Sequence, residues 1–234
     1  MVRCRLRTLR SYCRQFSGVH HRKTISLMLY NKCMSEKQRG IDIESYITQL
    51  EAELTESARS KNKLYQSIVD NPFKDRLTAI TLDLGIVVFL LVNKETKTIN
   101  RIALSDTEQA ILALKMSPVP FHEIKIPVGH PDNAIAKAIS KHAPQHTEDW
   151  LDLFTPALTS QQARFNQLGA GIECSWVFPL NIPSGGALIY SYFQPFKNIS
   201  EDHKKFMTAY TNRVSWFLDP GKNQEQEIKY PWVS

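Results

Sequence analysis

Cysteine, glycine and long apolar runs are all scarce in this chain, and each shortage excludes a class of protein. The 234 residues include 4 cysteines with no Cys-x-x-Cys pair, so no disulfide framework is expected. No apolar run approaches the roughly 20 residues of a membrane-spanning helix. The longest, residues 85–92, has the length of a buried strand. The 9 glycines form no phosphate-binding loop, and no nucleophile elbow is present. We therefore expect no membrane span and no enzymatic activity.

Acidic residues are absent from the first 33 residues, and this accounts for the formal net charge of +6. That leader carries eight Lys and Arg, which leaves 29 − 8 = 21 bases against 23 acids in residues 34–234, a balance of −2. A nearly neutral body gives no electrostatic reason to expect nucleic acid as the main partner.

The leader, residues 1–33, has three interpretations. It is Arg-rich and contains Ser, as an organellar transit peptide does. It is alternatively a basic arm that contacts nucleic acid or membrane, or an untranslated extension upstream of a start at Met34. Three of the four cysteines lie in it, which leaves Cys174 alone in the body. That distribution suits a reducing compartment, so we expect a cytoplasmic protein, or organellar import if the leader is a transit peptide.

Residues 34–71 are predicted to contain one long amphipathic helix. Neither Gly nor Pro occurs from 41 to 69, and apolar residues recur at helical spacing, at Ile43, Ile47, Leu50, Leu54, Leu64 and Ile68. Polar Ser57 and Lys61 interrupt this seam, and Asn71-Pro72 is expected to end the helix. The helix either packs on its own domain or forms a short coiled coil that pairs two copies. We favour the homodimer through residues 41–69.

Residues 72–219 alternate between strand and helix patterns, and residues 220–234 form a polar tail. The predicted elements are hairpins at 86–92 with 98–104 and at 172–180 with 186–193, a strand at 121–126, and helices at 106–115, 131–143, 160–168 and 200–218. This order indicates an α+β fold with a mixed or antiparallel sheet and helices on both faces.

Four motifs in this region resemble those of the GAF domain family of small-molecule-sensing modules. They are Ala138–Pro144 followed by Glu148-Asp149-Trp150, a strand from Gly171 ending in Pro179-Leu180, a returning strand from Gly185 to Tyr190, and a closing helix from Asp202 to Val214. The resemblance covers about 72–219. It implies a six-stranded antiparallel sheet with a ligand pocket on one face, roofed by residues 151–168. It also implies a sensory module that signals through dimerisation or contact with a partner protein, here without an attached output domain.

The pocket residues that the resemblance implies fall into two chemical groups. The polar ones are Asp149, Arg164, Glu173 and Ser175, and the aromatic ones are Phe154, Phe165, Trp176 and Tyr190. Because strand residues alternate in direction, Glu173 and Ser175 cannot share a face with Cys174 and Trp176. Which face carries the pocket is left open at this point.

The chemical subtypes of the GAF family do not fit this chain. Cys174 is not followed by His, as in bilin-binding members, and the body lacks the paired cysteines of methionine sulfoxide reductases. The Asn-Lys … Phe … Asp-Glu motif of cyclic-nucleotide-binding members cannot be placed in this sequence. His142 and His146 are separated by Pro144, so no metal site is expected. The cofactor is therefore unspecified, and the alternative to small-molecule sensing is a thiol-based redox sensor or enzyme that uses Cys174.

Overall fold

Six antiparallel strands form one sheet in the computed structural model, which describes residues 41–219 and Gly221. The strands are β1 (Leu84–Asn93), β2 (Thr98–Leu104), β3 (Lys125–Pro127), β4 (Gln145–Thr147), β5 (Cys174–Pro179) and β6 (Gly186–Tyr192). Their order across the sheet is β3-β2-β1-β6-β5-β4. The two predicted hairpins therefore lie side by side and join through β1 and β6, which pair from Leu84–Tyr192 to Leu91–Gly186.

Helices cover both faces of this sheet, which confirms the predicted α+β class. They are α1 (Ile43–Ser57), α2 (Lys61–Lys74), α3 (Arg76–Leu82), α4 (Glu108–Met116), α5 (Ala134–Lys141), α6 (Leu151–Phe154), α7 (Ser160–Ala170) and α8 (Glu201–Leu218). One core lies between the sheet and α1, α2 and α8. The other lies between the sheet and α4–α7.

Alternation along the strands assigns each side chain to one of these cores. On β6, Leu188 and Tyr190 face α8, whereas Ala187 and Ile189 face the second core. The second face is called the roofed face below, because α6, α7 and the loop between them lie over it. This is the position that the family resemblance implied for the roof, residues 151–168.

The predicted continuous helix is divided into two. α1 ends at Ser57, and α2 begins at Lys61 and folds back on α1. The break coincides with the polar interruption at Ser57 and Lys61, because these residues cannot continue an apolar seam into the core. Folding back allows Leu54 and Ile68 to be buried in the same core, each with 0% exposure.

α2 also continues through Pro72 to Lys74, where the sequence predicted an end at Asn71. Proline has no N–H to donate to the carbonyl four residues earlier, which is that of Ile68. The hydroxyl of Tyr210 on α8 donates to this carbonyl instead, at 2.7 Å. A tertiary hydrogen bond thus replaces the missing helical one, and the helix tolerates the proline.

The turn between β5 and β6 requires glycine at two consecutive positions. Gly185 has a φ of 76°, in the left-handed region that side chains disfavour. A Cβ on Gly186 would lie 2.6 Å from the carbonyl oxygen of Leu90. The Gly-Gly pair is therefore needed for the chain to reverse and for β6 to approach β1.

Two further predictions differ from the structure or fall outside it. Residues 121–126 were predicted as one strand, but Phe121–Glu123 form a 3-10 turn and only Lys125–Pro127 pair with β2. The leader (1–33), the start of the 34–71 segment and the polar tail apart from Gly221 lie outside the described residues. None of the described helices has the length and apolar character needed to cross a membrane.

Candidate functional site

A cavity of about 50 Å³ lies on the roofed face, between the sheet and helices α4, α6 and α7. Most of its wall is apolar and comes from strands and roof together, including Val88, Leu104, Leu114, Leu153, Phe154 and Ile189. Leu114 is 43% exposed, so it stands at the mouth of the cavity. We call this space the roof cavity.

Arg101 on β2 brings a positive charge into the roof cavity. Arg101 is 8% exposed, and its Nε and Nη2 atoms are buried without a hydrogen-bond partner. The Cζ atom lies over the rings of Phe154 and Phe121, at 4.3 and 5.7 Å from their centres. Burial lowers the pKa of Arg101 to about 9, which keeps the guanidinium protonated at neutral pH.

A β-bulge helps to position this arginine. The partner of Phe89 on β2 is Ala103, but the partner of the next residue, Leu90, is Arg101, so Ile102 is an extra residue in the ladder. Bulges of this kind redirect side chains beside functional sites. Here Ala103 is buried against the α8 side, whereas Arg101 lines the roof cavity.

Asn166 on α7 is the second buried polar group of the roof cavity. It is 1% exposed, and its Oδ1 atom has no hydrogen-bond partner. An asparagine side chain offers both an acceptor and donors. The roof helix therefore presents an unsatisfied amide to the same space that contains the unpaired guanidinium of Arg101.

A short hydrogen-bond chain ends at the cavity wall. The indole Nε1 of Trp150 donates to the Ser175 hydroxyl at 3.0 Å, and Ser175 bonds to the Ser191 hydroxyl at 2.8 Å. Because the indole is only a donor, the Ser175 hydroxyl accepts from it and can itself donate a hydrogen bond to Ser191. This leaves the hydroxyl hydrogen of Ser191, a lining residue, free to point into the cavity.

The structure brings two of the predicted site residues to the roofed face. Phe154 lines the cavity, and Ser175 lies behind its wall through the bond to Ser191. The side chains of Trp176 and Tyr190 lie on the opposite face, in the core with α8, and do not line the roof cavity. The Tyr190 hydroxyl bonds to Thr211 of α8 at 2.9 Å.

The remaining predicted site residues lie on the surface. Asp149 accepts a hydrogen bond from the Leu151 N–H at 2.8 Å, which makes it a cap for the turn before α6. Glu173 and Arg164 are exposed, and Phe165 is 55% exposed on the outer side of α7. These four residues are not brought together with Phe154 in the roof cavity.

The surroundings of Cys174 do not favour a reactive thiol. It is 1% exposed and belongs to the core with α8. Burial first, and then the charges of Glu148 and Glu173, raise the pKa of Cys174 to about 12. The thiol is therefore protonated at neutral pH, whereas nucleophilic cysteines need the thiolate.

The sequence analysis missed the polar groups that define the cavity: Arg101, Asn166 and Ser191. One signal was present for Arg101. It occupies the centre of the predicted strand 98–104, with apolar Ile99 and Ala103 two residues away on either side. A charge in the middle of an apolar strand face is rarely left unpaired, and so is a functional candidate. No comparable pattern marked Asn166, which lies in a polar helix segment.

Neither the protein-family models nor the curated proteins include a match to this chain. Solved structures do match. The GAF domain of the Acinetobacter phosphoenolpyruvate-protein phosphotransferase aligns with a TM-score of 0.51 and 10% identity, over 77% of this chain and 94% of that domain. The corresponding domain from Coxiella burnetii gives 0.51 and 10% identity, over 74% and 90%.

An enzyme is also among the matches. The free methionine-R-sulfoxide reductase of Neisseria meningitidis, solved in complex with its substrate, aligns with a TM-score of 0.50 and 12% identity, over 80% of this chain and 95% of the enzyme. At these identities the likeness concerns the fold. The chain has a GAF-like fold, as the sequence motifs implied.

Proposed function

We propose that this protein is a GAF-like sensory module that binds a small molecule in the roof cavity and signals to a separate partner protein. The observation that carries the proposal is the unpaired guanidinium of Arg101 in that cavity. A buried charge without a partner is strongly unfavourable. A bound ligand that satisfies the charge accounts for its presence.

The chemistry of the cavity supports binding rather than catalysis. Among the described residues that line it there is no His, Cys, Asp, Glu or Lys. General acid–base mechanisms draw mainly on these residue types. A nucleophilic serine needs an adjacent base, and none of these lining residues supplies one to Ser117 or Ser191. A cavity with one fixed cation, one amide and apolar walls is suited to holding a molecule in one orientation.

Helices α4 and α7 line the cavity on one side and carry an exposed apolar surface on the other. Among the described residues, five of the six exposed large hydrophobic side chains lie on α4 and α7, namely Ile111, Leu112, Leu114, Phe165 and Leu168. α7 presents Asn166 to the cavity and Phe165 and Leu168 to solvent. Exposed apolar clusters of this kind are typical of protein contact sites. A ligand that shifts α7 would therefore alter the surface that the partner contacts.

Homodimerisation through residues 41–69 stays a prediction. In the structure, the apolar residues predicted to form the dimer seam pack inside the domain instead. Ile47, Leu50 and Leu54 are buried in the domain core, the last two with 0% exposure. Glu51, also on α1, forms an ion pair with Arg213 of α8 at 3.2 Å. Contact with a partner protein is therefore the output that we favour. Sedimentation of the full chain tests this choice, since a monomer is expected if the seam is used internally.

The alternative use of Cys174 as a redox sensor or catalytic thiol has less support. The residue is buried, its thiol is protonated, and its side chain lies across the sheet from the roof cavity. Cys174→Ser is expected to leave ligand binding in the cavity unchanged.

The proposal is tested by a thermal-shift screen combined with a variant that fills the cavity. Ala113 lies on α4 and lines the cavity, so Ala113→Leu places three additional carbon atoms in it with only a small loss of helix propensity. Ala52→Leu makes the same change on the exposed side of α1 and is the matched control. Compounds that raise the melting temperature of the wild type and of Ala52→Leu, but not of Ala113→Leu, would support binding in the roof cavity. Equal shifts in all three proteins would contradict it.

A further inference from the structure

The ligand class follows from the edge of the Arg101 guanidinium that has no hydrogen-bond partner. Nε and Nη2 lie on the same side of a guanidinium and form one of its two-pronged edges. In Arg101 these are the two buried atoms that lack a partner. Two parallel N–H groups at fixed spacing match the two oxygens of a carboxylate or phosphate. The contacts with Phe121 and Phe154 involve ring faces and do not occupy these donors.

The described part of the cavity wall offers no anion to Arg101. Among the described residues that line the cavity, Arg101 itself is the only one with an ionisable acidic or basic side chain. The guanidinium therefore needs one negative charge from outside this set of residues. A carboxylate brings one. A phosphate brings between one and two, and three strong acceptor oxygens that would need more donors than this apolar cavity offers.

The volume limits the size of the ligand. At about 10–15 Å³ for each water position, the 50 Å³ of the cavity corresponds to about three to five waters. That is roughly 90–150 Å³ of liquid at about 30 Å³ per water, which is the extent of an acid with roughly two to four carbons. The apolar walls from Val88, Leu153 and Ile189 suit an alkyl group.

We propose that the roof cavity binds a short-chain carboxylate. Its two oxygens accept hydrogen bonds from Nε and Nη2 of Arg101 once the side chain turns these solvent-inaccessible atoms towards the cavity, and its alkyl group contacts the apolar wall. This inference rests on the proposed function of the cavity as a binding site. Asn166 and Ser191 supply further hydrogen bonds, which would favour acids with a polar substituent such as a hydroxyl group.

The test measures binding of matched carboxylates and amides to the full-length protein at constant ionic strength. Isobutyrate and isobutyramide have nearly the same shape and differ in charge, and butyrate, lactate and inorganic phosphate complete the set. We expect the carboxylates to bind and raise the melting temperature, and the amide and phosphate to have little effect. Arg101→Met should weaken carboxylate binding about 10- to 100-fold, the range for losing a charge-assisted hydrogen bond.

Two further variants keep the test interpretable. Arg101→Lys retains the charge without the two-pronged edge. It should therefore bind carboxylates with an affinity between those of the wild type and Arg101→Met. Arg164→Met removes an exposed arginine from α7 and should bind as the wild type does. Equal binding of amide and carboxylate, phosphate binding alone, or unchanged affinity in Arg101→Met would overturn the carboxylate assignment while leaving a binding cavity in place. If no compound in the broader screen responds to Ala113→Leu, the proposed function fails as well.

Discussion

Replacing Arg101 by methionine should stabilise the unliganded protein. Burial lowers the arginine's pKa from 12.5 to about 9, which corresponds to a penalty of about 5 kcal/mol for the buried charge at about 1.4 kcal/mol per pKa unit. Contact with the rings of Phe121 and Phe154 offsets this by about 2 kcal/mol. Methionine has a similar length, packs against the same rings and carries no charge. Arg101→Met should therefore raise the free energy of unfolding by about 2–3 kcal/mol.

Urea denaturation followed by circular dichroism measures this difference, and calorimetry should show a melting temperature higher by roughly 4–12 °C. Arg164→Met is the matched control, and because the side chain is exposed, a change within about 0.5 kcal/mol is expected. If Arg101→Met instead loses about 1 kcal/mol or more, the guanidinium is satisfied within the folded chain and the reasoning that makes it a ligand group is refuted.

Four other predictions concern the fold and the alternative function. Tyr210→Phe removes the hydrogen-bond donor to the Ile68 carbonyl, which Pro72 leaves without a helical partner. Because a buried acceptor then has no donor, the free energy of unfolding in urea should fall by about 1–3 kcal/mol. An unchanged value would mean that the carbonyl finds another donor. Gly186→Ala places a Cβ against the Leu90 carbonyl and should cost about 1–3 kcal/mol in the same assay, with wild-type stability as the contradicting result. Since burial raises the pKa of Cys174 to about 12, alkylation of this residue at pH 8, quantified by peptide mass spectrometry, should be about 1000-fold slower than in denaturant. The raised pKa also stabilises the fold fully below about pH 9, and this contribution should be lost as the pH rises towards 12, so wild type should lose stability faster than Cys174→Ser there.

The parts of the fold that depend on local pattern were predictable. The two strand-like runs around the Pro/Gly turn, with Gly185-Gly186 opening the second run, placed the β5–β6 hairpin, and the Ser200 cap placed the start of α8. The division of the N-terminal helix was not predicted, although Ser57 and Lys61 marked the interruption. A break in a seam does not reveal whether the chain continues straight or folds back. That outcome depends on Leu54 and Ile68 reaching the same core.

The position of the candidate site was predictable, but the residues that line it were not. The resemblance placed the roof at residues 151–168, and the structure puts α6 and α7 there, over the cavity. The polar cavity residues lie on β2, α7 and β6, far apart in sequence. The sheet order and the packing of α7 over the sheet bring them together. Strand alternation separated Ser175 from Trp176, but the packing of α8 decided which of them faces the roof.

The Nε–Hε signal of Arg101 in a ¹⁵N NMR titration tests the central claim most directly. The signal can be assigned by its disappearance in Arg101→Met, and it reports on one of the two atoms that the structure leaves without a partner. We predict a saturable shift of this signal on addition of isobutyrate and no comparable shift with isobutyramide. A signal that does not respond to any short carboxylate would contradict the account.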